Sequence, residues 1–100
     1  MGLNNYDIVE LLRKNIALFE GLDEVYLFGS VLDAQNEPND VDLLLIYTHN
    51  LDRVIEKIGA ITSVLEKLTG IPVDLTVLSA EEEKDTQFLK RIYSHCLKLK

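Results

Sequence analysis

Asp40 and Asp42 stand two residues apart where the apolar run Val41–Tyr47 opens, and a third aspartate, Asp74, lies inside another such run, Ile71–Leu78. A strand turns alternate side chains to one face, so Asp40 and Asp42 project together, with alpha carbons roughly 6.5–7 Å apart. Their neighbours Val41, Leu43, Leu44, Leu45 and Ile46 mark a buried strand, so the acids occupy its mouth rather than a solvated surface. Like charges placed there repel unless a cation is shared. Ahead of them, the run Val25–Phe28 stops at Gly29-Ser30, and nine residues separate Ser30 from Asp40. A helix starting after Gly29 would offer free backbone N–H groups to a phosphate, and glycine permits close approach. The Ser30 hydroxyl can donate to a phosphate oxygen. Asp40 and Asp42 suit two magnesium ions about 3.5–4 Å apart, and magnesium prefers hard oxygen ligands. Asp74, one strand over, would complete one metal position and assist deprotonation of an acceptor. Each signal alone is weak. Their joint order describes a magnesium–nucleotide site, with Gly29 and Ser30 on the nucleotide and Asp40, Asp42 and Asp74 as metal ligands and catalytic acids.

The elements that must position these residues follow from periodicity. Ile8, Val9, Leu12, Ile16 and Phe19 share one helical face, predicting a helix over 5–20 with Asn4 or Asn5 as cap and Gly21 as stop. Val25–Phe28 reads as a strand. A brief helix after Ser30 and then a loop suit the polar segment 30–39. Val41–Tyr47 is the central strand. Asn50 caps a helix over 51–69 that turns Val54, Ile55, Ile58, Ile61, Leu65 and Leu68 inward and ends at Gly70 and Pro72. Val73–Leu78 is a third strand. Ser79-Ala80-Glu81-Glu82 has the form of a capping box, opening a helical tail that breaks near Asp85-Thr86 before Phe88–Leu99. The order α-β-α-β-α-β-α with so few strands predicts an α+β, two-layer fold: a sheet of about three strands with helices on one face.

Bulk properties narrow the function. The 100 residues, 47% hydrophobic, suit a single domain over 1–100. A formal charge of −7 and a pI near 4.7 argue against a binder of long nucleic acids, which needs a basic patch. An acidic nucleotide would be held through metal ions more than through the bulk field. Cys96, the one cysteine, has no partner for an intrachain disulfide and no companions for zinc. It is expected in the core, on the stripe of the terminal helix with Phe88, Ile92 and Tyr93. His49 and His95 read as surface or capping residues, and Tyr26 and Tyr47 as packing residues with one wet edge. No signal segment and no run of about 18 apolar residues is visible, so a soluble, cytoplasmic protein is expected.

Gly29-Ser30, nine residues, Asp40-Val41-Asp42-Leu43, then Asp74 within Pro72-Val73-Asp74-Leu75-Thr76 resemble the nucleotidyltransferase superfamily related to DNA polymerase beta. The minimal nucleotidyltransferases (MNT), single-domain proteins of about this length, are the group most resembled, and Phe88-Leu89-Lys90-Arg91-Ile92 resembles their terminal helix. The resemblance implies a short mixed sheet with helices on one side. It also implies magnesium-dependent transfer of a nucleoside monophosphate from a nucleoside triphosphate, with ATP the expected donor, to a hydroxyl. Such domains form the antitoxin half of HEPN/MNT modules, which implies a HEPN-type protein partner silenced by adenylylation or by binding. The chain departs from the family's alanine-arginine-glycine run after the Gly-Ser pair: Val31-Leu32-Asp33-Ala34 lacks the arginine and adds an acid. That departure implies weaker nucleotide affinity, or an alternative role as an inactive binding module. Arg53 and Lys57, or Lys90 and Arg91, are the candidates to replace the missing cation. No membrane association is expected, and a homo-oligomer is left open.

Overall fold

The computed structural model describes residues 3–33 and 37–100. Helix α1, Asn5–Lys14, begins where the Asn4 side chain accepts from the Asp7 N–H at 2.8 Å and Asp7 accepts from the Asn4 N–H at 3.3 Å. This reciprocal cap satisfies two otherwise orphaned donors. The helix buries Ile8 and Leu12 but stops earlier than the periodicity predicts, because the Asn15 side chain donates to Leu11 O and competes with helix continuation. The chain tightens into a 3-10 turn, Ile16–Phe19, which still buries Phe19.

Strand β1, Glu24–Phe28, turns Val25 and Leu27 into the core. It pairs antiparallel with β2, Val41–Tyr47, with Phe28 opposite Asp42 and Val25 opposite Leu45. Between them, where a brief helix after Ser30 is expected, Gly29–Leu32 forms only a four-residue 3-10 turn, while Ala34, the end of the departing motif, lies outside the described residues. Helix α2, Leu51–Thr69, starts after Asn50 as predicted. Asn50 makes no side-chain cap bond, and instead takes the left-handed backbone, φ 60°, that asparagine tolerates better than most residues. Val54, Ile61 and Leu65 are buried, whereas Ile55 and Leu68, expected inward, are 56% and 40% exposed. Both sit at the margin of the stripe, and a helix on a narrow sheet covers only its centre. Gly70, at φ 75°, ends the helix and donates to Glu66 O.

Strand β3, Val73–Ser79, runs parallel to β2. Ser79 and Glu82 cap α3, Ala80–Thr86, reciprocally, as the sequence predicts. Gln87, at φ 54°, breaks the helix, and α4 covers only Phe88–Ile92. The predicted helix to Leu99 is not formed. A 3-10 turn, Tyr93–His95, leads into β4, Cys96–Lys98, which pairs antiparallel with β1. The reason is a period-two pattern: Leu97 and Leu99 pack against the core while Cys96 and Lys98 alternate with them. Cys96 is therefore half-buried in an edge strand, not on a helical stripe.

The fold is the expected α+β type, with a mixed sheet of four strands, rather than about three, in the order β3-β2-β1-β4. Helices α1 and α2 pack on the face carrying Val25, Leu27, Val41, Leu43 and Leu45. The short α3–α4 segment crosses the opposite face, where the Phe88 ring meets Phe28 edge-on at 5.6 Å. Leu44 and Ile46, which point to that second face by strand alternation, are buried as well.

Candidate functional site

The antiparallel turn from β1 to β2 and the parallel step from β2 to β3 bring three chain segments to one end of the sheet. Asp42 lies directly opposite Asp74 in the β2–β3 register and opposite Phe28 in the β1–β2 register. Residues paired across strands point to the same face, and neighbouring strands lie about 4.8 Å apart. The two carboxylates are therefore forced side by side. Asp40 precedes β2 at the same end, half-buried like Asp42, while Asp74 on the edge strand is exposed. Burial first, then the charges of Asp74 and Asp40, push the Asp42 carboxyl above its ordinary value. Like charges gathered in this way favour the protonated carboxyl. Among the described residues no three acidic, histidine or cysteine side chains close around one point tightly enough to hold a metal. The donor set fits a hard divalent ion in chemistry and in charge.

Gly29 takes φ +82° and packs against Asp42 so closely that a Cβ there would overlap Oδ2 and lie 3.1 Å from Cγ. Glycine at this turn is thus required twice, for the backbone angle and for the carboxylate beside it. Ser30 has a task the sequence did not suggest. Its hydroxyl donates to Asp40 O at 3.2 Å and accepts from the N–H groups of Asn39 and Asp40 at 3.3 and 3.4 Å. The turn is thereby tied to the backbone that enters β2, which sets where Asp40 stands. Replacing Ser30 by Ala is expected to cost about 0.5–1.5 kcal/mol of stability, the net worth of such bonding, as a lower urea midpoint with an unchanged slope. An unchanged midpoint would show that the tie contributes nothing.

Four cations are candidates to replace the missing arginine, and the structure separates three of them, Arg53, Lys57 and Arg91. Arg53 and Lys57 start from the C-terminal end of β2, whereas Asp42 is near its N-terminal end, and seven residues of strand span roughly 20 Å. Lys57 also donates to Glu20 O, at the far end of β1. These two do not reach the carboxylates. Arg91 lies 5.2 Å over the Phe88 ring, which rests on Phe28 beside Asp42. Among the described residues Arg91 has no ion pair, and its stacking on Phe88 puts its guanidinium on the site side of the sheet. Val31, in the departing motif, is buried in the core. The Phe28–Phe88–Arg91 stack was not predicted. Its only trace in the sequence is the i, i+3 spacing of Phe88 and Arg91.

A family model described as "Polymerase beta, Nucleotidyltransferase" matches residues 5–98. Among solved structures, the chain is similar to the complex of a tri-AMPylated Shewanella oneidensis HEPN toxin with its MNT antitoxin. The identity there is 18% and the TM-score 0.56, over 92% of this chain and 71% of that one. It is also similar to a toxin–antitoxin structure with AMP-PNP, at 25% identity and TM-score 0.51, over 98% of this chain and 73% of that one. A search of curated proteins gives no match. Among the described residues no helix is long and apolar enough to cross a membrane.

Proposed function

Because the chain belongs to the polymerase beta nucleotidyltransferase family, we propose that it transfers a nucleoside monophosphate from a magnesium-bound nucleoside triphosphate, ATP by preference, to a hydroxyl of a HEPN-type partner, acting as an antitoxin. The observation that carries this reading is the register that sets Asp42 against Asp74, with the Gly29 turn packed on the same carboxylate. In this reading Asp40, Asp42 and Asp74 hold the metal, and Gly29 and Ser30 form the wall for the phosphates. Two magnesium ions, when bound, would offset the clustered carboxylates and stabilise charge on the triphosphate. The acceptor oxygen bonds to the α-phosphorus as its bond to the bridging oxygen breaks, and pyrophosphate leaves with the electron pair. In the same reading Asp74, the exposed acid at the sheet edge, takes the acceptor's proton. The Shewanella complex, whose toxin carries AMP groups, supports a protein acceptor.

A second reading is an inhibitor that acts by binding alone. The absence of a cation in the Val31–Asp33 turn favours it, and the three aspartates oppose it. Co-expression with a HEPN-type partner separates the two. The expected result is a complex whose partner gains mass in steps of one nucleoside monophosphate, and only with divalent metal present. A complex without added mass would replace the enzyme by the inhibitor. Transfer to small molecules with no complex would remove the protein acceptor.

A further inference from the structure

A cavity of about 450 Å³ opens on the second face of the sheet, lined by Tyr26, Leu89, Tyr93, Cys96 and Lys98. Cross-strand pairing puts it on the face of the carboxylates: Tyr26 lies opposite Lys98, Phe28 opposite Cys96, and Phe28 opposite Asp42. From Asp42 to Cys96 is two strand spacings, about 10 Å. The floor is held firmly. The Tyr26 hydroxyl donates to Glu24 at 2.8 Å, and Lys98 Nζ binds the same oxygen while lying 5.8 Å over the Tyr26 ring. Tyr93 forms the rim and is 80% exposed, the most open large apolar side chain among the described residues. Leu89 supplies an aliphatic wall. An aromatic-lined slot of this size, within the about 300–1,000 Å³ of small-molecule sites, suits a planar heterocycle. Two further cavities, one holding Arg53 and Lys57 at the far end and one running along Gly59 and Glu66 outside α2, have no aromatic lining among the described residues.

Order across the sheet gives the slot its meaning. Asp74 lies on the open edge strand β3, Asp42 on β2, the Gly29 turn at the end of β1, and the slot over β1 and β4. In-line displacement needs acceptor and leaving pyrophosphate on opposite sides of the α-phosphorus. Among the described residues the β3 edge is free to receive the acceptor, and the phosphates fall towards the Gly29 turn. The nucleoside, roughly perpendicular to that line at phosphorus, is left the sheet face along the strands, where Tyr26 lies two residues back from Phe28. We propose that the slot between Tyr26, Leu89 and Tyr93 receives the base of the bound nucleotide, stacked on Tyr93, and that acceptors enter from the β3 edge. This rests on the nucleotidyltransferase reading above.

Calorimetric titration with magnesium ATP and with magnesium tripolyphosphate, which has the phosphates and no nucleoside, tests it. Tyr93→Ala is expected to weaken ATP about tenfold, the equivalent of about 1.4 kcal/mol of lost stacking, and to leave tripolyphosphate unchanged. Tyr93→Phe should bind like the parent. Leu89→Trp, which fills the slot from its wall, should show the same split. Equal weakening of both ligands, or undiminished ATP binding by both Tyr93→Ala and Leu89→Trp, would overturn the assignment while leaving the nucleotidyltransferase reading intact. Failure of the unaltered chain to bind either ligand would instead overturn that reading, and this one with it.

Discussion

Asp42→Asn protein is expected to lose nucleotide transfer by at least about 10²–10³-fold, the scale of removing one electrostatic stabiliser, and to bind manganese far more weakly by electron paramagnetic resonance. Asparagine keeps the shape of the side chain and removes the charge that a divalent ion needs. The same substitution should make the metal-free protein more stable at neutral pH. Burial and the facing Asp74 and Asp40 raise the Asp42 carboxyl above 3.8 in the folded chain. The folded state therefore holds its proton more tightly than the unfolded one, so the native Asp42 loses stability as pH rises from 3.8 through its folded value. The advantage of Asp42→Asn should be fully present above that window and vanish below it. Melting in the presence of a chelator, followed from pH 3 to 8, measures this directly. A variant that is less stable at pH 7 and still binds manganese like the parent would make Asp42 a structural acid.

Gly29→Ala should damage both fold and site. The backbone angle of +82° costs a side chain about 1–2 kcal/mol, and the new methyl group must displace Asp42. Gly70→Ala supplies the control, since Gly70 has φ +75° with nothing within 4 Å of an added Cβ. Both variants should lose the backbone increment in urea unfolding. Only Gly29→Ala should lose more than that, and only it should lose manganese binding. Equal losses, with binding retained in both, would show that Asp42 moves aside freely and that the tight contact is unimportant.

Much of the site was legible because its geometry is local. Two acids at i and i+2 on a strand must share a face, whereas the short link after the Gly-Ser pair suits either strand direction, and the antiparallel pairing that brings Gly29 to the mouth of β2 comes from the structure. At the first helix the sequence leaves Asn4 or Asn5 as cap and the structure selects Asn4, while the helix ends at Ser79 and Gly70 were plain. The end of the chain was not. Phe88, Ile92 and Tyr93 suggest a helical stripe, yet Leu97 and Leu99 go to the core as a strand because the open edge of β1 offers hydrogen bonds that a short helix cannot match. Likewise, sequence could name four candidate cations but not rank them: Arg53 and Arg91 differ in which end of a sheet they reach, a distance set by strand direction and crossover. By itself the sequence determined which residues carry charge, which turns need glycine, and which runs alternate. The tertiary structure decided that Asp74 faces Asp42, that Ser30 fixes Asp40, and that Tyr93 stands over the face of the carboxylates. Each of those depends on register between segments far apart in the chain, and register is chosen by the packing of the whole core rather than by any one segment.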